Sequence, residues 1–391
     1  MPKNTLKSKH SKGFIKEALA LHTKNQGKLG VVSLVKVKTK DDLSTVYTPG
    51  VAAVSLAIAK DKKKANTLTW KGRTIAIISD GSAVLGLGNI GPEAALPVME
   101  GKALLFKELA GVDAIPLVID VHTVEEIVAT VKALAPGFGG INLEDIAAPQ
   151  CFEIEAQLRN TLDIPVLHDD QHGTALVVLA GLINALKVVR KKPENCKVVV
   201  SGVGAAGIAI MRLLKKWNSG LTLYAVDSRG IVHAESDLNS AKKALIHEGI
   251  IATDREGTLE DIIAGADIFI GVSQPGVLSE QMVKTMNTDA IIFAMANPVP
   301  EIMPDVALRA GAKVVATGRS DFANQINNSL GFPGIFQGAL AHRVTNITDT
   351  MLIRAAKNLA AVVAKPAVDY IIPSPFDKKV VPAVSKAIRL R

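Results

Sequence analysis

Cysteine is nearly missing: Cys151 and Cys196 are the only two in 391 residues, and neither sits in a C-x-x-C spacing. A disulfide framework and a thiolate zinc site are thereby excluded, and a reducing compartment is expected. Aromatic residues make up 4%, with three tyrosines and two tryptophans, too few to stack successive bases. The net charge of +8 is therefore not read as a nucleic-acid surface. Its lysines fall in scattered clusters at 60–64, 187–192 and 378–379, solvated faces that favour encounter with small anions such as dicarboxylates and phosphorylated cofactors. Long apolar runs are absent too. The longest, Ala175 to Val189, holds Gly181 and Asn184 and falls short of a membrane span. Lys3, Lys7, Lys9 and Lys12 are not followed by an apolar stretch, so no secretory signal is expected. These absences lead to the expectation of a soluble cytoplasmic protein with no membrane and no nucleic acid as partner.

What is present is a globular composition, 48% hydrophobic and 21% charged. The length predicts two domains, divided here as 1–162 and 163–391. The centre of interest is Leu167-His168-Asp169-Asp170-Gln171-His172-Gly173-Thr174-Ala175, where an extended segment (Ile164 to Leu167) gives way to a buried helix (Thr174 to Val189). One of the two acids can cap that helix, and the other is then free to face a metal or a catalytic partner. A second acidic pair, Glu144-Asp145, follows Gly140-Ile141-Asn142-Leu143 near a strand end. With Asp170 it offers three oxygen ligands to a hard cation, Mg²⁺ or Mn²⁺; taken alone, it would cap the helix spanning Pro149 to Leu158.

The N-terminal part contributes further candidates. The pattern predicts an amphipathic helix over 12–28, a short extended piece from Leu34 to Val37 and a helix from Val51 to Ala59. Tyr47 stands before the rigid corner Thr48-Pro49-Gly50, where an oriented phenol can donate a proton or simply pack. The strand Arg73 to Ser79 leads into a loop with Gly86, Gly88 and Gly91. Pro92 follows at once and no acid closes a later strand at the required distance, so this loop is read as an anion cradle and not as a dinucleotide site. Lys102, in a helix from Leu96 to Leu109, is expected to be semi-buried with a lowered pKa that frees its amine as a base; the alternative is that it snorkels outward.

From Lys197 the pattern becomes regular. A buried strand (Lys197 to Ser201) runs into Gly202-Val203-Gly204-Ala205-Ala206-Gly207 and the helix Ile208 to Trp217. The next strand, Leu221 to Val226, ends in Asp227. Here the glycines let a pyrophosphate approach the helix N-terminus, and the acid meets the adenosine ribose hydroxyls. Asp227 favours NAD, while Arg229 nearby suits NADP. Strands follow at Asp267 to Gly271, Ala290 to Met295 and Lys313 to Thr317. Loops at their carboxyl ends form the ligand crevice of an open parallel sheet, which puts Asn297 at the crevice. Asn327 and Asn328 are candidates for amide contacts with a carboxylate or the nicotinamide. Helices from Ala339 onward close the domain. The fold class is α/β: a Rossmann-like doubly wound parallel-sheet domain preceded by an N-terminal α/β domain for substrate.

Tyr47-Thr48-Pro49-Gly50-Val51-Ala52, the loop Gly86 to Gly91, Gly101-Lys102, Leu143-Glu144-Asp145, His168 to Ala175, Ala296-Asn297-Pro298 and Asn327-Asn328 together resemble malic enzymes of the short bacterial type, over nearly the whole chain. The resemblance implies oxidative decarboxylation of (S)-malate to pyruvate with NAD(P) and a divalent metal. It implies Tyr47 as general acid, Lys102 as general base, Asp169 as the partner of Lys102, and Glu144, Asp145 and Asp170 as metal ligands. Asn297 with Asn327, Asn328 or both would touch malate or the nicotinamide, and the assembly would be a homodimer. Where the longer eukaryotic branch carries an arginine for the substrate carboxylate, this chain has Ala83, so backbone N–H groups of Ser82 and Ala83 are expected to replace it. Two alternatives stand: a malolactic enzyme giving lactate, and a nucleotide-binding protein without catalysis.

Overall fold

The computed structural model describes residues 9–390 other than Leu85 and Asp237, so Lys3, Lys7 and position 85 of the glycine loop lie outside the described residues. The chain begins with an arm of short helices, α1 (Lys9–Asn25), α2 (Lys40–Val46), α3 (Val51–Lys60) and α4 (Ala65–Leu68). From Gly13 to Arg73 no residue is buried. The amphipathic helix expected over 12–28 is present as α1, yet Phe14 and Leu19 on it are exposed. The extended piece expected at Leu34 to Val37 is bend and coil, because no neighbouring strand takes up its backbone groups.

The first sheet is parallel throughout, in the order β2 (Asp113–Val118), β1 (Thr74–Ser79), β3 (Gly140–Leu143), β4 (Val166–His168). β1 reads Thr-Ile-Ala-Ile-Ile-Ser and every residue of it is buried, as a strand covered on both faces requires. The sheet runs past residue 162 to His168. Its crossovers contain α5 (Pro92–Ala110), α6 (Val124–Leu134) and α7 (Gln150–Thr161). α5 starts four residues earlier than its apolar pattern suggests, because Pro92 occupies the first turn, where its missing N–H is harmless.

α8 (Asp169–Val189) joins the two halves. Fifteen of its 21 residues are buried. Although it is long and apolar enough to cross a membrane, it lies inside the protein, packed against side chains of both sheets. The stretch Lys40–Lys60 passes the same length and composition test, but it is α2 and α3 separated by the turn at Tyr47 to Gly50. α8 begins at Asp169, not at Thr174 as expected. Both acids therefore sit in the first helical turn, where the free N–H groups favour them.

The second sheet has the order β10 (Val314–Thr317), β9 (Ile291–Ala294), β8 (Ile268–Gly271), β5 (Lys197–Ser201), β6 (Thr222–Asp227), β7 (Gly230–Ile231), with only β7 antiparallel. α9 (Ala205–Trp217) follows the glycine loop after β5. The order reverses at β5, and there an open α/β sheet leaves its crevice. Helices Phe332–Ala341, Asp349–Val362 and Val380–Ser385 close the molecule, the first beginning seven residues before the expected Ala339.

Candidate active site

A cavity of about 660 Å³ opens between the two sheets, lined from the first half by Lys102, Glu144 and Asp145, from α8 by Asp170, and from the second half by Gly204, Asn297 and Asn327. Glu144 and Asp145 follow β3 directly. Asp145 adopts a left-handed backbone (φ 52°), tolerated by an Asp, and its N–H donates to Asp170 Oδ2 at 2.9 Å. Glu144, Asp145 and Asp170 each offer an oxygen within 4.8 Å of the others. Asn142 Nδ2 steadies Glu144 by donating to Oε2 at 2.9 Å. This donor set, three mostly buried carboxylates, is what a hard divalent cation takes, so these residues fit Mg²⁺ or Mn²⁺.

Lys102 is 7% exposed and its Nζ lies 2.5 Å from both Glu144 Oε1 and Asp169 Oδ2. It also stands 4.4 Å above the Phe332 ring. Burial alone would lower its pKa, but the carboxylates of Asp169, Glu144 and Asp170 outweigh burial and hold it above the usual lysine range. The expected lowering is thus reversed, because the sequence signals burial but not the carboxylates that accompany it. Burial pushes Asp169 up to about 6 against the pull of Lys102. Burial likewise raises Glu144 and Asp170, with a neighbouring carboxylate adding to it. Asp169 Oδ2 accepts a second bond, from Asn328 Nδ2 at 2.6 Å. Asn328, expected at the nicotinamide, lines the cavity and also bonds the Lys102–Asp169 pair.

Gly173 explains why the helix carries a glycine one turn after Asp169. A Cβ there would lie 1.8 Å from Asp169 Oδ1, so only glycine leaves room for the carboxylate to fold back. Behind this turn lies Glu155 of α7, a buried acid that the sequence reading passed over. Its Oε1 accepts from the His168 N–H at 3.0 Å, and its Oε2 lies 2.9 Å from His172 Nε2 and 3.3 Å from Gln171 Nε2. Burial raises its pKa, but His172 and His168 more than offset that and hold it below the usual range. Its only sequence signal was an acid on the buried stripe of Ile154 and Leu158.

Two expected groups are elsewhere. The Ser82 N–H donates to Asp80 Oδ1 at 3.0 Å and the Ala83 N–H donates to Asp145 O at 2.9 Å. Both donors proposed for a substrate carboxylate are thus consumed in fixing the loop to the acidic pair. Tyr47 is 66% exposed on the N-terminal arm and does not line the cavity. No residue from Gly13 to Arg73 is buried, and the ties of this arm to its own body at Lys28 and Lys71 leave the phenol outside.

At the other end, Gly202 (φ 105°) turns the chain after β5, and a Cβ on Gly207 would lie 1.8 Å from Gly202 O. Gly204, Ala205 and Ala206 line the cavity at the start of α9, where its free N–H groups face an incoming pyrophosphate. Asp227 ends β6. Its Oδ1 accepts from the Arg229 N–H at 2.8 Å, and its Oδ2 pairs with Lys242, a partner the sequence did not reveal. Burial raises the Asp227 pKa, but Lys242 and the Arg229 N–H outweigh it and keep the acid ionised. The loops after β8 and β9 are stapled by buried Glu301, which accepts from the Ser273 and Ala296 N–H groups, each at 2.9 Å. Asn297 is set beside it. The earlier glycine loop packs here as well: a Cβ on Gly86 would lie 2.8 Å from Asn297 O, which places that loop at the substrate end.

Residues 24–159 match the family model described as malic enzyme, N-terminal domain, and residues 171–388 match malic enzyme, NAD binding domain. The chain is 55% identical over 365 residues to an NAD-dependent malic enzyme of Geobacillus stearothermophilus, covering 93% of this chain and 76% of that one. It is 53% identical to a bifunctional malic/malolactic enzyme of Bacillus subtilis (95% and 91% covered). It is 44% identical to an NADP-dependent malic enzyme of Halomonas elongata (95% and 92%). The crystal structure of an NAD-dependent malic enzyme from Thermotoga maritima matches with a TM-score of 0.91 at 47% identity, covering 95% of this chain and 98% of that one.

Proposed function

The chain belongs to the malic enzyme family, and from that premise we propose that it oxidises (S)-malate and decarboxylates it to pyruvate and CO₂ while reducing NAD. The observation that carries this reading is the Lys102–Asp169 pair set against three carboxylates in a cavity shared with the dinucleotide loop. Residues 1–162 would supply the substrate half and 163–391 the cofactor half. Glu144, Asp145 and Asp170 would hold Mg²⁺ or Mn²⁺, which when bound supplies a Lewis acid for the C2 oxygen and the charge developing during decarboxylation.

The chain's own groups do the proton work. Lys102 would first give its extra proton to Asp169, its carboxylate partner, and then, as the neutral amine, take the proton of the C2 hydroxyl. Asp169, fixed by Asn328 and by the space at Gly173, aims that amine. Asn327 uses Oδ1 to cap the following turn, which leaves its Nδ2 for the substrate carboxylate in place of Ser82 and Ala83. Asn297 touches malate or the nicotinamide, and Tyr47 protonates C3 of the enol product. The assembly is read as a homodimer.

The bifunctional relative favours one second reading, in which lactate leaves in place of pyruvate. Incubation with (S)-malate, Mn²⁺ and either NAD or NADP separates the two. Reduced nicotinamide accumulating in step with pyruvate is expected. Lactate formed without net reduction would assign the malolactic reaction, and no turnover with either cofactor would overturn the proposal.

A further inference from the structure

Glu301 is wholly buried, yet the proton transfers do not use it and it does not line the cavity. Among the described residues no lysine, arginine or histidine forms an ion pair with it. An acid taken out of water without a cation costs stability unless hydrogen bonds satisfy it. Main chain does so here. Oε1 accepts from the Ser273 N–H and Oε2 from the Ala296 N–H, each at 2.9 Å, and the Ser273 hydroxyl lies 3.5 Å from Oε1. A carboxylate accepts at both oxygens, which neither a glutamine nor an apolar residue can do.

The two bonds tie the loop after β8 to the loop after β9. The backbone at the same place strengthens the tie: the Leu278 N–H donates to Glu301 O at 3.1 Å and the Gly276 N–H to Pro300 O at 3.2 Å, so the loop after β8 is held at both ends. A third loop is locked to these two. Ser273 Oγ lies 3.0 Å from Ser201 Oγ at the end of β5, and a Cβ on Gly202 would lie 2.6 Å from Val272 O. Gly271, the last residue of β8, makes room for the acid. The three atoms nearest to a Cβ there all belong to Glu301, at 2.4, 2.6 and 2.8 Å.

The sheet order decides which part of a dinucleotide these loops meet. β6, whose Asp227 would meet the adenosine ribose, lies on one side of β5, and β8 and β9 lie on the other. A dinucleotide laid across the crevice with its pyrophosphate at the loop after β5 therefore brings its nicotinamide half to the loops after β8 and β9. Ser273, Ala296 and Asn297 of those loops line the cavity that Lys102 also lines. We infer that Glu301 is a positioning residue for the nicotinamide half of the cofactor, which fixes both loops through its two oxygens and touches neither cofactor nor substrate. The inference rests on the reading of residues 163–391 as the cofactor half.

The test compares two ligands by calorimetry: NADH, and ADP, which keeps the adenosine and the pyrophosphate but has no nicotinamide half. E301Q accepts one of the two N–H groups and turns its own amide toward the other. Its NADH affinity is expected to fall roughly tenfold, with ADP and Mn²⁺ affinity unchanged. G271A keeps the acid and displaces it, since the added methyl meets the Glu301 side chain first, and the same selective loss is expected. The double variant should lose no more than either single one, because both act through one contact. Equal loss of NADH and ADP affinity would show that Glu301 holds the whole second half together and would overturn the inference, as would NADH affinity kept in both single variants. Wild-type protein that binds neither ligand would instead remove the reading of residues 163–391 on which the inference rests.

Discussion

Beyond the first sheet a buried lysine is shut in among carboxylates; beyond the second a single carboxylate is matched by two cations. Lys102 lies 2.5 Å from Glu144 and from Asp169, Asp170 adds a third negative charge, and Lys102 alone opposes the three. Asp227 has Lys242 beside it and Arg229 within 3.9 Å, both reached by solvent. The difference teaches what each end is for. A buried cluster with excess charge of one sign is stable only when something of opposite charge shares it, so its geometry is fixed and its occupant is chosen by charge. An acid balanced by two cations discriminates mildly and is retuned by one substitution.

The largest effect is expected from breaking the buried end. K102A should lower turnover by roughly 10²–10⁴-fold and leave NAD affinity unchanged, checked by steady-state kinetics beside a cofactor titration. Next comes G173A. Alanine is the better helix former by about 1 kcal/mol, so the protein should not lose its fold, yet the displaced Asp169 should reduce turnover on the order of 100-fold. Intact turnover in G173A would show that the close approach of Asp169 Oδ1 is not needed. E155Q loosens the corner that holds Asp169 and Asp170 and should weaken Mn²⁺ binding by roughly tenfold, read by calorimetry.

At Asp227 the effects shrink. D227S removes the charge that repels a 2′-phosphate but keeps Lys242 and Arg229, so the NADP to NAD ratio of kcat/KM should rise by roughly 10-fold or more. Smallest is D267N, away from the cavity. Asp267 accepts from Lys191, the Lys197 N–H and Asn287, and although burial raises its pKa these partners hold it below the usual range. A lowered pKa in the fold gives stability that is present above the ordinary carboxylate range and is lost as pH falls through the folded value. D267N should therefore cost about 1 kcal/mol at neutral pH, with the gap to wild type narrowing below about pH 4 in thermal unfolding.

Features encoded within about thirty residues were legible in the sequence. The loop Gly202 to Gly207, its helix and Asp227 stand where the spacing put them, and the parallel strands were readable as short apolar runs. The three acids were named as a set and do come together. The start of α8 was misplaced because two acids and a glycine read as a corner, whereas the acids stabilise a helical first turn. Glu155, Lys242 and Glu301 were passed over because a lone acid or lysine gives no sign of its burial until its partners arrive.

The sequence by itself determined the architecture and the inventory of chemistry: which half takes a dinucleotide, and which side chains can move protons or hold a cation. Tertiary structure alone decided the assignments among them. It spent the Ser82 and Ala83 N–H groups on the loop, bonded Asn328 to Asp169, raised the pKa of Lys102 and left Tyr47 outside the cavity. The physical reason is distance along the chain. Lys102 meets Asp169 across 67 residues and Asn328 meets Asp169 across 159, and no local spacing records a contact that exists only once two sheets have closed on one helix.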